Sequence, residues 1–277
     1  MWGSILLSAV LAGVVATAVT VAIERWGGLI GGLLGTAPST IVPAAVGMYA
    51  TGGEADTIAS LSIVPFGMML NALFLGVWMV MPSLLSNRRS ALWVTTLTAL
   101  LVWALLGAAV MGVMDTWLQP SLTEAEVALM GLACMVLVSV AFNLRPVEAP
   151  KGTNAVRRSV LIARGSMAAI AIGVAVWCSS LGYPLLAGLA SVFPAIFLTS
   201  MVALWLAQGA TVPRGAAGPM MLGGASVAVY ANVAMWSLPA YGMVWGSVVA
   251  WLISVVGWSC PAFVVLKRRH DRAGLSG

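Results

Sequence analysis

Residues 32–47 read GLLGTAPSTIVPAAVG, and the tension inside this stretch decides how the chain folds. Its apolar residues suit a helix that crosses a bilayer, yet Pro38 and Pro43 bracket the polar pair Ser39 and Thr40. A proline removes one backbone donor and displaces a carbonyl of the preceding turn. In hydrocarbon each unpaired backbone group costs several kcal/mol, so a broken helix survives only where protein or a watery cavity receives the freed groups. The surrounding solvent therefore has to be identified first.

Composition identifies it. The chain has 277 residues, 61% hydrophobic and 8% charged, with a mean hydropathy of +1.03. A soluble domain carries roughly a quarter charged residues. The expected fold is all-α, a polytopic transmembrane helical protein of about nine spans whose first partner is the lipid bilayer. The N-terminal MWGSILLSAVLAGVVATAVTVAIER has no basic residues ahead of an apolar run that is too long for a signal peptide, and reads as a retained first span.

Apolar runs place spans near 3–23, 27–50, 57–82, 91–113, 127–143, 161–180, 183–206, 217–238 and 240–266, with the shortest joints at Leu181-Gly182 and Pro239-Ala240. Charge tests the count. With the N-terminus outside, every basic residue falls on one side: Arg25; Arg88 and Arg89; Arg145, Lys151, Arg157, Arg158 and Arg164; Arg214; and the tail from Lys267 to Arg272. The opposite side receives Glu54, Asp56, Asp115, Glu124 and Glu126. Basic loops stay in the cytoplasm, so the C-terminus is expected there, in a bacterial inner membrane. The basic clusters serve topology, and no nucleic-acid partner is implied.

A repeat lies beneath the spans. At an offset of 156 positions, Leu29 meets Leu185, Gly32 meets Gly188, Leu33 meets Leu189, Pro38 meets Pro194, Val46 meets Val202 and Gly53 meets Gly209. Four spans plus one linker reverse the second copy, an inverted-topology arrangement known from secondary transporters. The expected division is 1–126 for the first four-span repeat, 127–160 for the linker span and its loop, and 161–277 for the second repeat and basic tail.

The segment AGLASVFPAIFLTSMVALWLAQG resembles the signature of the GlpM-like family of small bacterial membrane proteins, in which a Gly-Leu run and a Phe-Pro pair open the second helix and a Gly closes it. The likeness covers about 25 residues; the first half departs from it with Ala37-Pro38 where the second has Phe193-Pro194. The family's four-span, dual-orientation units imply two such units fused head to tail. The resemblance implies no activity and no catalytic residue.

Two readings stand open for the prolines: kinks rescued locally by Thr36, Ser39, Thr40, Ser191, Thr199 or Ser200, or a paired midplane site. Asn71 and Asn232 lie within apolar spans, where an amide either ties helices together or binds a cation or polar solute. The candidate substrate contacts are Thr36, Pro38, Ser39, Thr40, Asn71, Pro194, Thr199, Ser200 and Asn232. The ladder Gly27, Gly31 and Gly35 reads as a small-xxx-small packing seam.

Several chemistries are not expected. Cys134, Cys178 and Cys260 lie far apart with no CxxC spacing, and the one histidine, His270, sits in the basic tail. No metal, no cofactor and no enzymatic triad follows, and the chain lacks a nucleotide-binding GxxxxGK[ST] loop. No charge falls at a span centre, which disfavours a carboxylate-driven proton antiporter. The expected function is a secondary transporter or facilitator for a small-molecule or ion substrate, as a monomer or a homo-oligomer. The alternatives are an ion channel and a non-transporting membrane subunit or assembly factor.

Overall fold

The computed structural model describes residues 2–26, 37–85, 90–144 and 158–272. The glycine ladder over 27–35, Thr36, Arg88, Arg89, Arg145, Lys151 and Arg157 lie outside these residues. Every regular element is helical, and no strand occurs among the described residues. Seven helical units are long and apolar enough to cross a membrane. In chain order the elements are α1 (Trp2–Trp26), α2 (Ile41–Leu84), α3 (Ala91–Val113, continued by the π-helical turn Met114–Leu118), α4 (Glu124–Phe142), α5 (Arg158–Ser180), α6 (Pro184–Ser191), α7 (Ala195–Gln208), α8 (Thr211–Ser254, continued by the π-helical turn Val255–Ser259) and α9 (Cys260–Arg272).

Two of these helices are 44 residues long, about 66 Å if straight and twice the hydrocarbon thickness. Neither is straight. At Gly53 the backbone turns through φ 79°, ψ −170°, and at Gly242 through φ 75°, ψ 173°. These dihedrals are open only to glycine. Beyond Gly242 the chain folds back. Ser237 Oγ donates to the carbonyl of Gly246 at 2.8 Å, although the two are nine residues apart; a straight helix would separate them by about 13 Å. The expected joint at Pro239-Ala240 is thus a one-glycine corner, two residues later. Between 50 and 57, where a loop was expected, Gly53 alone interrupts the helix. Gly182 (φ 77°) turns α5 into α6, at the expected joint.

Contacts between small residues fix the helix directions. A Cβ built on Gly13 of α1 lies 3.2 Å from Ala169 Cβ of α5, one on Gly173 lies 3.4 Å from Ala9 Cβ, and one on Gly165 lies 2.5 Å from Thr17 Oγ1. Numbers rise on one helix as they fall on the other, so α1 and α5 run antiparallel in close contact. In the same way α4 lies parallel to the 54–84 arm of α2, with Gly131 against Phe66 and Gly76 against Phe142. It is antiparallel to α8, where Asn143 Nδ2 reaches the Gly218 carbonyl at 3.2 Å and Asn232 Nδ2 the Ala128 carbonyl at 3.3 Å. Hence the 54–84 arm and α8 also run antiparallel. They form the centre, touching where Met68 Cε comes within 3.0 Å of a Cβ built on Gly224.

The core matches this plan. The run Leu61–Met68 is buried at every position, and Phe74, Trp78 and Tyr230 are fully enclosed. By contrast α3 turns Trp93, Leu97, Leu101 and Leu105 outward, 59–68% exposed. An apolar stripe at that spacing forms one continuous helix face, and lipid is the solvent it suits. At the start of α4, Thr123 and Glu126 form a reciprocal capping box, with the Thr123 amide donating to Glu126 Oε2 at 2.8 Å.

Candidate functional site

The segment α6–α7 is one apolar span with a gap at Val192–Pro194. Pro194 has no N–H to offer the Ala190 carbonyl four residues back; the Phe193 amide takes that carbonyl at 3.1 Å. The Ala195 amide folds onto the Phe193 carbonyl at 2.7 Å, closing a tight turn. The Val192 carbonyl then needs a donor from elsewhere, and Asn71 supplies it.

Asn71 stands in the 54–84 arm of α2 and is 3% exposed. Its Nδ2 donates to the Val192 carbonyl at 2.8 Å, and its Oδ1 accepts from Trp103 Nε1 of α3 at 2.9 Å. Nδ2 also lies 3.4 Å from Met68 Sδ. Both ends of the amide are used, so its orientation follows from the partners. The Trp103 ring stacks edge-on against Phe193, centroids 5.3 Å apart. One asparagine thereby joins α2, α3 and the broken span.

The serines and threonines expected to heal the break do not reach it. Ser191 Oγ donates to the Gly188 carbonyl (2.6 Å), Thr199 Oγ1 to that of Ala195 (2.8 Å) and Ser200 Oγ to that of Ile196 (2.6 Å). Each bonds within its own helix.

The corresponding stretch before α2 has the same local form. The Ser39 amide donates to the Ala37 carbonyl at 2.8 Å, the turn made by Ala195 and Phe193. Pro38 is buried; Ser39 and Thr40 are half-buried, and Thr40 caps α2 without a side-chain hydrogen bond. Thr36 lies outside the described residues. Asn232 serves another interface: its amide donates to the Ala228 carbonyl in its own helix at 2.9 Å and to Ala128 of α4. The two asparagines thus have different neighbours.

Two residues escaped the sequence reading. Trp103 has no sequence signal beyond a tryptophan in mid-span. Arg164, grouped by charge with the cytoplasmic basic residues, lies inside α5, and its Nη2 donates to Ser200 Oγ of α7 at 2.7 Å. The signal was there: Arg164 follows Leu161, Ile162 and Ala163, already within the apolar run. Trp78 Nε1 and Thr95 Oγ1 are wholly buried without a hydrogen-bond partner among the described residues. An open groove of about 550 Å³ follows the α1–α5 contact, lined by residues such as Val10, Gly13, Thr17 and Gly165. No candidate contact lines it.

These features define a class: an all-helical protein with seven helical units long and apolar enough to cross a membrane, its interior organised around a broken apolar helix closed by a buried asparagine. No family model, curated protein or solved structure matches the chain.

Proposed function

We propose that the chain is a secondary transporter or facilitator for a small solute, built from two inverted four-helix repeats with the substrate path at their breaks. The observation that carries this reading is a recurrence at the 156-residue offset. The tight turn of Ala37 and Ser39 recurs at Phe193 and Ala195, and the corner at Gly53 recurs at Gly209 (φ 80°, ψ −178°). Two stretches of different sequence adopt the same uncommon backbone forms in the same order.

Helix contacts support the same offset. Gly13 touches Ala169 and Met68 touches Gly224, each pair being its own image under a shift of 156. The contact of Thr17 with Gly165 maps onto that of Gly173 with Ala9. Antiparallel pairing of equivalent helices is what an inverted repeat produces around its axis. On this reading the arms on each side of Gly53 and of Gly242 are separate crossings and α6–α7 is one, nine in all, where the described residues hold seven helical units long and apolar enough to cross a membrane.

Orientation has a direct test. In a cysteine-less background, single cysteines at Gly277 and Glu54 are expected to react with an impermeant maleimide from opposite faces of the membrane. Labelling of both from one face would end the inverted arrangement.

In a carrier the broken spans move as one repeat rocks against the other, and the Asn71 bond to Val192 is the contact to break and remake. Reconstituted flux should saturate and show counterflow. Pro38→Ala combined with Pro194→Ala should reduce counterflow about tenfold, the effect of a 1.4 kcal/mol change in the balance of states. Flux unchanged in the double variant would remove the breaks from the mechanism.

One observation favours a non-transporting subunit: both intramembrane asparagines are engaged with backbone carbonyls, as packing alone requires. A stable partner in pull-downs, with no flux of any solute class, would decide for it.

A further inference from the structure

We propose that the chain binds one monovalent metal cation at the Gly53 corner, held between Asp56 of α2 and Ser179 of α5. This goes beyond the transport reading and does not depend on it. The starting point is a buried hydroxyl with nothing to bond. Ser179 is 1% exposed, and its Oγ has no hydrogen-bond partner among the described residues. It points at Gly52, where a built Cβ lies 2.7 Å from Ser179 Oγ and 3.1 Å from Asp56 Oδ2. The two oxygens face one point, yet no hydrogen bond joins them. A buried hydroxyl left unpaired costs free energy, and an ion shared with the carboxylate removes that cost. Gly52 and Asp56 are half-exposed, so the ion arrives from the surface without a channel, and water completes its shell.

Electrostatics favours a cation here. Helix α5 ends at Ser180, one residue beyond Ser179, and the first arm of α2 ends at the Gly53 corner. Helix C-termini carry partial negative charge. No lysine, arginine or histidine occurs between Arg25 and Arg88, or between Arg164 and Arg214. One carboxylate balances one charge. Glu54 is exposed, and residues two apart on a helix do not face each other. Calcium takes roughly 6–8 oxygens, carboxylates prominent among them, so a lone aspartate sets the class as monovalent. The second corner lacks the site: at the 156-residue offset Gln208 and Val212 stand in the places of Gly52 and Asp56. One ion per chain follows, and it ties Asp56 of the first half to Ser179 of the second.

The test is thermal unfolding of the full chain in neutral detergent, in sodium, choline and calcium chlorides at equal ionic strength. Sodium at about ten times its Kd should raise the midpoint by about 3–5 °C over choline. Equilibrium binding of radioactive sodium should give one ion per chain. Asp56→Asn keeps the shape and should abolish both signals, leaving the midpoint in choline nearly unchanged. Ser179→Ala should weaken binding about threefold or more, as for one lost contact to a charge. It should not lower the midpoint in choline, where the hydroxyl has no partner to lose. Gly52→Ala puts a methyl group in the ion's place and should also remove binding; the other two variants keep the test decisive if it fails to fold. Equal midpoints in sodium and choline would overturn the proposal. So would sodium binding that survives Asp56→Asn or is unchanged in Ser179→Ala, or a larger shift in calcium than in sodium. None of these readouts needs flux, so their failure is distinct from failure of the transport reading.

Discussion

Replacing Asn71 with leucine is expected to destabilise the protein by about 2–4 kcal/mol. The side chain is nearly isosteric, so the cost comes from lost hydrogen bonds and not from a cavity. A buried group and a half-buried one lose their partners together: the Val192 carbonyl, held at 2.8 Å, and Trp103 Nε1, held at 2.9 Å. An orphaned buried group costs about 1–3 kcal/mol. Two such groups at about 1 kcal/mol each set the bottom of the range, and the lower worth of single interhelical hydrogen bonds in membranes, near 0.6 kcal/mol on average, holds down its top. For a chain of this size, 1 kcal/mol shifts the midpoint about 2–4 °C. Thermal unfolding in detergent should therefore show a drop of about 5–15 °C.

Two comparators separate the contributions. Trp103→Phe removes the donor to Oδ1 and leaves the bond to Val192, so it should cost less than half as much. Asn232→Leu should also cost less, because the stronger of its two bonds, to Ala228 at 2.9 Å, lies within its own helix. If Asn71→Leu unfolds at the same temperature as Asn232→Leu, the asparagine does not hold the break. A double-mutant cycle over Asn71 and Trp103 should give a coupling of about 0.5–3 kcal/mol, the range for residues in one hydrogen-bond network.

The second large effect is expected at Gly188. It lies in the short half-helix α6, pressed against the 54–84 arm of α2. A Cβ on it would collide with the backbone carbonyl of Ser60 and the Ile63 side chain. Ser60 is itself buried and donates to the Asp56 carbonyl at 2.7 Å within its own helix, so its backbone cannot yield without moving the whole arm. Gly188→Ala should cost about 3 kcal/mol, at the upper end for overpacking a close contact. It would also push α6 away and stretch the Asn71 bond at the break one turn further on. Gly112 is the control: nothing lies within 4 Å of a Cβ placed there. Gly112→Ala should be neutral or slightly stabilising, since alanine is the better helix former. Equal midpoints for the two variants would refute the tight α2–α6 contact.

Much of the architecture could be read from residues alone. Few charges and long apolar runs demand helices in lipid, because there a backbone must satisfy its own polar groups. That rule needs no knowledge of neighbours. The prolines at 38 and 194 fall at breaks, but Pro65, Pro82, Pro219 and Pro239 lie inside helices that continue past them, so a proline alone does not announce one. Gly182 stood at an expected joint and Gly53 met Gly209 across the repeat, whereas Gly242 did not stand out, the joint there being expected at Pro239-Ala240. That Gly53 and Gly242 are one-residue corners with no loop was not visible, because positive φ is a property of the folded backbone.

The partners of those breaks could be decided only by tertiary structure. Residues near Pro194 in sequence offered three hydroxyls for the freed carbonyl, and all three donate inside their own helices. The donor that serves Val192 comes from 121 positions away. A helix presents side chains in every direction, and sequence spacing gives the angle of each but not what lies opposite. For the same reason Asn71 and Asn232 look alike along the chain yet meet different helices. Arg164 shows the limit most plainly. Charge counting assigned it to a side of the membrane, a one-dimensional property. Whether its guanidinium turns outward to water or inward to Ser200 depends on which helix packs beside α5, and only the assembled fold supplies that neighbour.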